Sequence, residues 1–403
     1  MQSQFHPKTK REFLFLILIL GSIIAIGPLT IDIYLPAFGA IAQSFEARES
    51  LVQLSLTTYF IGIAFGQLLY GPIIDRYGKK PPLFFGLSLF FISSVACFYA
   101  TSIEQIIFFR FFQALGACAG TVIPRSIVRD IFAPQESARV FSHLVLVMGV
   151  APILAPMLGN LMLTFFDWRM IFAFLAAFGI CALLVAHFFI PETKGFNDDE
   201  KISAAFKKYF GILHDKNFVI CSLSGGMMTG ALFAYVTGSP FLYLDYFQLS
   251  THDYGIIFSI NSIGFVIASQ INAQLLKKFS IQQLLGKIVF MPAISGLILI
   301  AVSFHNPNFW LVSILFFFIL CSCGMMMPNA TALALAGQEK HTGSAAALLG
   351  TIQFSLAAIA SFLISKFNNG SPLPIALIIG SCTSLSFLIN KSFHILSVCH
   401  PVE

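Results

Sequence analysis

The chain has 403 residues, 57% of them hydrophobic and only 10% charged, with 46 Phe. So little charge cannot coat a water-facing surface, which excludes an ordinary soluble protein and makes lipid the solvent for most of the exterior. The formal charge of +5 does not call for nucleic acid as a partner, because the basic residues cluster by position along the chain. None of the eight cysteines forms a CxxC, and all but Cys399 lie in apolar runs. They read as small core residues, and no metal and no cofactor is expected.

Lys8, Lys10 and Arg11 precede the first apolar run. That run is too long for a signal-peptide core and lacks a small-x-small cleavage site, so it reads as an uncleaved span. Crossing about 30 Å of hydrocarbon takes roughly 20 apolar residues. Runs of this kind lie near 13–36, 52–73, 82–101, 105–126, 139–163, 168–190, 218–243, 254–276, 284–304, 309–333, 343–365 and 373–390. They predict twelve transmembrane helices, since lipid leaves the backbone no other local partner. Short connections make neighbours antiparallel. The exception is the polar stretch 191–216, which divides an N-terminal six-helix half (1–190) from a C-terminal six-helix half (217–403).

Lys and Arg set the orientation. With the N-terminus inside, nineteen of the 23 fall in inner segments, Arg48, Arg169 and Lys366 in outer ones, and Arg110 within a span. Both termini are therefore expected in the cytoplasm. The prolines carry a repeat: Pro36 and Pro240 are 204 residues apart, and so are Pro124 and Pro328, each of the latter two ending a GxxxP. One shared offset predicts two pseudo-symmetric halves in parallel orientation, with substrate bound between them. Proline and glycine soften spans 1, 4, 7 and 10, which are expected to line the cavity.

Asp32 in span 1 and Arg110 in span 4 are the two ionised side chains within the spans. A charge at a helix centre costs about 2.5–3.5 kcal/mol on insertion scales, so each is expected to face the interior, a watery cavity or the other. The functional reading is a proton site: a carboxyl that exchanges its proton, tuned by a nearby Arg. The plain alternatives are a solvated Asp32 near the outer headgroups and an Arg110 tied to carbonyls near its own helix end. Tyr34, Tyr59, Gln113, Tyr235, Asn261 and Gln353 are candidates for the substrate cavity. Interhelical hydrogen bonding is the competing role for these, as for Gln270 and Asn272.

The turn after span 2 reads Gly71-Pro72-Ile73-Ile74-Asp75-Arg76-Tyr77-Gly78-Lys79-Lys80. This resembles the G-x-x-x-D-R-x-G-R-R signature of the major facilitator superfamily, at the same place in the topology. The fold implied is an all-α membrane protein of the major facilitator type. By that resemblance the loop is a cytoplasmic gate, with Asp75 near the start of span 11 around Gly343 and Arg76 pairing with Asp130. Arg110-Phe111-Phe112-Gln113-Ala114-Leu115-Gly116 is close to the R-x-x-Q-x-x-G of proton-coupled members. Gly27 to Pro36, Gly66 to Pro72, Arg125 to Asp130, Ala151 to Pro156 and Gly343 to Gly350 resemble the bicyclomycin and chloramphenicol resistance (Bcr/CflA) branch of drug:proton antiporters. Span 5 carries that group's helix-bend motif as Gly149, Pro152, Pro156 and Gly159. It departs from the pattern by having Ala155 and Asn160 where glycines are usual, which puts its tight packing in question. Some multidrug relatives have a second acid deeper in span 1; Ile23-Ile24-Ala25-Ile26 has none.

The resemblance implies a monomeric multi-pass protein of the bacterial inner membrane that exports amphipathic drugs in exchange for protons. The alternatives on the same fold are export of a self-made metabolite or siderophore and uptake of a metabolite by symport. An enzyme is not expected, since His143 and His187 come with no metal spacing or nucleophile motif.

Overall fold

The computed structural model describes residues 10–132, 134–190, 202–304, 307–338 and 342–399. Among them there are helices and turns but no strand, as lipid demands of a chain that cannot close a barrel. The expected linker residues 191–201 lie outside the described residues.

In order, the helices are α1 (Lys10–Asp32), α2 (Phe38–Ser44), α3 (Glu49–Tyr77), α4 (Lys80–Phe98), α5 (Ile103–Ile131), α6 (Pro134–Phe165), α7 (Arg169–Phe189), α8 (Ile202–Leu213), α9 (Lys216–Pro240), α10 (Thr251–Leu275), α11 (Ile281–Ile288), α12 (Phe290–Ser303), α13 (Phe309–Ala336), α14 (Thr342–Phe367) and α15 (Leu373–Cys399). Eleven spans are long and apolar enough to cross a membrane, and α6 contributes a shorter apolar run, Val150–Phe165, where the fifth span is expected. Side chains place several starts. Ser102, Asp215, Ser250, Ser280 and Asn308 each accept hydrogen bonds from free backbone N–H groups at the heads of α5, α9, α10, α11 and α13, as N-caps do.

Two expected spans are interrupted, both by proline. The run 13–36 is not one helix: α1 stops at Asp32, and a short 3₁₀ turn, Leu35–Ala37, leads into α2. Pro36 has no N–H to give to the Asp32 carbonyl four residues earlier, so the α-helical ladder ends there. Span 9 divides into α11 and α12 at Val289, because Pro292 withholds the same bond from Ile288. Pro240, the repeat partner of Pro36, also marks a change: α9 ends at it and passes into a π-helical stretch, Phe241–Tyr246. Pro124 and Pro328 stay inside the unbroken helices α5 and α13.

Packing divides the chain into two compact units. One joins the segment up to Ala47 with Thr58–Lys207, and the other joins Arg48–Thr57 with the chain from Lys208 onward. In the first, α1 lies against α5, α6 and α7, and α4 lies against α5 and α7. In the second, α9 is central, packed on α13, α14 and α15, while α10 and α12 lie on α13. Phe15, Phe85, Ile92, Phe108, Ile267, Ile294 and Trp310 are exposed, the outward apolar face that a bilayer covers.

Candidate functional site

Arg110 sits in the second turn of α5 and is completely buried. Its Nη1 donates to the backbone carbonyl of Thr30 at 3.2 Å and to Gln113 Oε1 at 2.8 Å. The guanidinium carbon lies 4.7 Å from the ring centroid of Tyr34 and 4.3 Å from that of Tyr59. Gln113 is held in turn, its Nε2 donating to Ser94 Oγ at 2.8 Å, and Ser94 donates to the Phe90 carbonyl. Arg110 Nε and Nη2 have no hydrogen-bond partner, as suits a guanidinium partly satisfied by π-faces.

The arrangement corrects the expected coupling of the two membrane charges. Asp32 is buried, 5% exposed, at the last position of α1. Among the described residues no cation lies within ion-pair distance of its carboxyl. Arg110 is instead balanced by the C-terminus of α1. Because α1 stops at Asp32, its last carbonyls lack intrahelical donors, and the helix dipole makes that end partly negative. Arg110 thus caps α1, a neighbouring helix, rather than the end of its own.

Tyr34 is wholly buried against Phe38 and Phe172. With Tyr59 and Gln113 it forms the housing of Arg110. In the second unit Asn261 Nδ2 donates to Tyr235 Oη at 2.7 Å, and Tyr235 stacks on Phe258 with ring centroids 5.8 Å apart. Both residues are buried. Gln353 is half-buried, with Nε2 3.5 Å from Thr331 Oγ1. Gln270 is exposed, while Asn272 and Asn329 exchange two amide hydrogen bonds between α10 and α13. Thr30, Ser94 and Asn329 were not singled out from sequence. Ser94 and Asn329 are uncharged groups in apolar runs with no periodic or motif signal, and Thr30, although inside the Gly27–Pro36 motif, takes part through its backbone carbonyl.

At the signature turn, Gly71, Asp75 and Arg76 lie in α3, and Gly78 has φ +78°. That left-handed backbone favours glycine, and it lets α4 start two residues later. The ion pair assigned to Arg76 from sequence is made by Lys79. Lys79, 3% exposed, binds Asp130 and donates to the Ser126 carbonyl at 2.9 Å. Its register follows from the turn: Gly78 reverses the chain, and Lys79 then faces the last turn of α5. The Arg76 guanidinium lies 5.5 Å from the Tyr77 ring.

Gly149, Pro152, Pro156 and Gly159 all lie within α6. A Cβ at Gly159 would stand 2.3 Å from the Ile33 carbonyl oxygen. The close approach of α6 to the chain just after Asp32 therefore depends on a glycine at this position, despite Asn160 beside it.

The chain matches the Major Facilitator Superfamily over residues 18–362. It is 35% identical over 378 residues to the uncharacterized MFS-type transporter YdgK of Bacillus subtilis, covering 93% of this chain and 94% of that one. It is 28% identical to a bicyclomycin resistance protein homolog of Haemophilus influenzae, with 94% and 96% covered. Identity to the multidrug transporter MdfA of Yersinia pestis is 29%, with 88% of each chain covered. The crystal structure of a D-xylose-proton symporter superposes with a TM-score of 0.76 at 13% identity, over 94% of this chain and 98% of that one. The chain is a member of the major facilitator superfamily, a family of multi-pass membrane transporters of small molecules rather than enzymes, and its bicyclomycin-resistance and MdfA relatives agree with the Bcr/CflA-type resemblance of its motifs.

Proposed function

We propose that the protein exports amphipathic compounds across the bacterial inner membrane in exchange for protons, with both termini in the cytoplasm. The observation that carries this reading is the environment of Asp32. It is a buried carboxyl that pairs with no cation among the described residues, placed at the end of a helix broken by Pro36. Burial without a paired cation disfavours an anion, so Asp32 gains by holding a proton unless water or a cationic substrate group reaches it. In this reading protons load Asp32 from outside. On the inside, substrate binding favours release.

The halves 1–190 and 217–403, joined by the linker 191–216, exchange access by rocking. Differential affinity of proton and substrate for the two states drives the cycle. Arg110 holds the end of α1 in place, and the Gly71–Lys80 turn with Asp130 closes the inner side. Tyr235, Asn261 and Gln353 supply polar groups to the substrate path, and the protein works as a monomer. The resistance and multidrug names of the relatives favour export of drugs over uptake.

The test uses inside-out vesicles acidified in the lumen, with a panel of amphipathic antibiotics that includes bicyclomycin and chloramphenicol. Substrate-induced proton release is expected in the wild type and absent in Asp32→Asn. If no compound on a broad panel moves protons, drug export is wrong. If Asp32→Asn still couples, Asp32 is not the carrier.

A further inference from the structure

Within the second unit, α14 and α15 both pack on α9 but touch each other only sparsely. The gap between them is an apolar groove of about 550 Å³. Leu356, Ile359 and Leu363 form one wall, Leu377 and Leu385 the other, and Met227 of α9 lies at the floor. Ile359, Leu377 and Leu385 are 55%, 41% and 44% exposed, so the groove opens sideways along the outer face of the unit.

The groove has a direction. At 1.5 Å per residue, the stretch from Leu356 to Phe367 gives a length of roughly 17 Å. That is close to one leaflet, half of about 30 Å of hydrocarbon. One end is mostly apolar, with Ser381 and Cys382 beside Leu356 and Leu385. The other reaches the connection between the two helices, where Asn369 joins the lining. Lys366 lies at this end, its ammonium 5.8 Å from the ring centroid of Phe367, itself a lining residue. The groove is therefore an apolar channel one leaflet long, with an amide and an exposed cation at its mouth.

Its surroundings decide the occupant. The groove opens sideways among exposed apolar side chains, on a face that a bilayer covers, so a hydrocarbon chain of that bilayer is what fills it. We propose that this groove is a specific lipid site, taking one acyl chain of an anionic glycerophospholipid whose phosphate is held by Lys366 at the α14–α15 connection. With the termini inside, that lipid belongs to the outer leaflet. The site is separate from Asp32 and Arg110 and does not depend on the transported compound.

The test is native mass spectrometry of the detergent-purified full chain titrated with phosphatidylglycerol or phosphatidylcholine. The wild type is expected to retain one phosphatidylglycerol in preference to phosphatidylcholine. Lys366→Gln is expected to weaken phosphatidylglycerol binding about fivefold, the worth of one basic residue near a lipid surface, and to leave phosphatidylcholine unchanged. Leu377→Trp, which fills the groove, is expected to abolish retention of that one lipid. Photocrosslinking of the unmutated protein with a diazirine-acyl phosphatidylglycerol gives a readout independent of the folding of any variant. Labelled peptides are expected from α14 and α15 around Ile359 and Leu377. Equal adducts in all three proteins, labelling elsewhere, or labelling displaced by amphipathic antibiotics but not by excess phosphatidylglycerol would overturn the assignment.

Discussion

A buried guanidinium needs compensation, and at Arg110 it comes from two aromatic faces, a glutamine carbonyl and the end of α1. The Tyr59 ring, the closer of the two, separates the contributions. Tyr59→Phe keeps the face and is expected to leave thermal stability in detergent nearly unchanged. Tyr59→Leu removes it and is expected to cost about 2 kcal/mol, the worth of a desolvated cation–π contact, together with most transport. Equal loss in both variants would mean that the hydroxyl, not the ring, matters. Sequence reading found Asp32 and Arg110 because charges in apolar runs are conspicuous. It joined them because no letter in the sequence stands for the counter-charge that Arg110 uses. That counter-charge is a helix terminus, and it appears only once Pro36 is known to stop α1 at Asp32.

Among the elements, α1 and α6 meet where backbone replaces side chain. Gly159 stands against the Ile33 carbonyl, and no rotamer change relieves a clash with main chain. Gly159→Ala is expected to destabilise by about 1–3 kcal/mol, the usual cost of overpacking, read as a lower melting temperature. Because the displaced segment follows Asp32, a proton leak in unenergised vesicles is expected as well. A variant as stable and as tight as the wild type would remove Gly159 from the account. The helix count was legible from apolar run length alone, and the signature turn from its glycine. The breaks at Pro36 and Pro292 were less so. Pro124 and Pro328 show why: they sit in helices that continue unbroken, so a proline marks a withheld hydrogen bond but not whether neighbours hold the helix together. At the turn, the resemblance paired Arg76 with Asp130, and Lys79 is as basic. The choice fell to Lys79 through the left-handed Gly78, a conformational detail rather than a compositional one.

For the molecule as a whole, the housing of Arg110 has an electrical consequence. The positive charge of Arg110 is stabilised by groups that do not titrate in the cycle: ring faces, an amide and a backbone carbonyl. It neither borrows nor returns charge when Asp32 changes state, so each turnover of the proposed exchange carries inward the charge of the proton on Asp32, less whatever the substrate carries out. For a neutral compound that is one net charge per turnover, and the membrane voltage adds about 2.3 kcal/mol per 100 mV to the driving force. For a monocation the exchange is electrically silent, and only the pH difference drives it. For a dication the voltage opposes export. In vesicles clamped with potassium and valinomycin, export of neutral compounds is expected to accelerate with voltage while export of monocations stays flat. Voltage dependence for both would require a second proton carrier. With one carrier, the substrate's charge, more than its shape, decides which component of the proton-motive force the transporter draws upon.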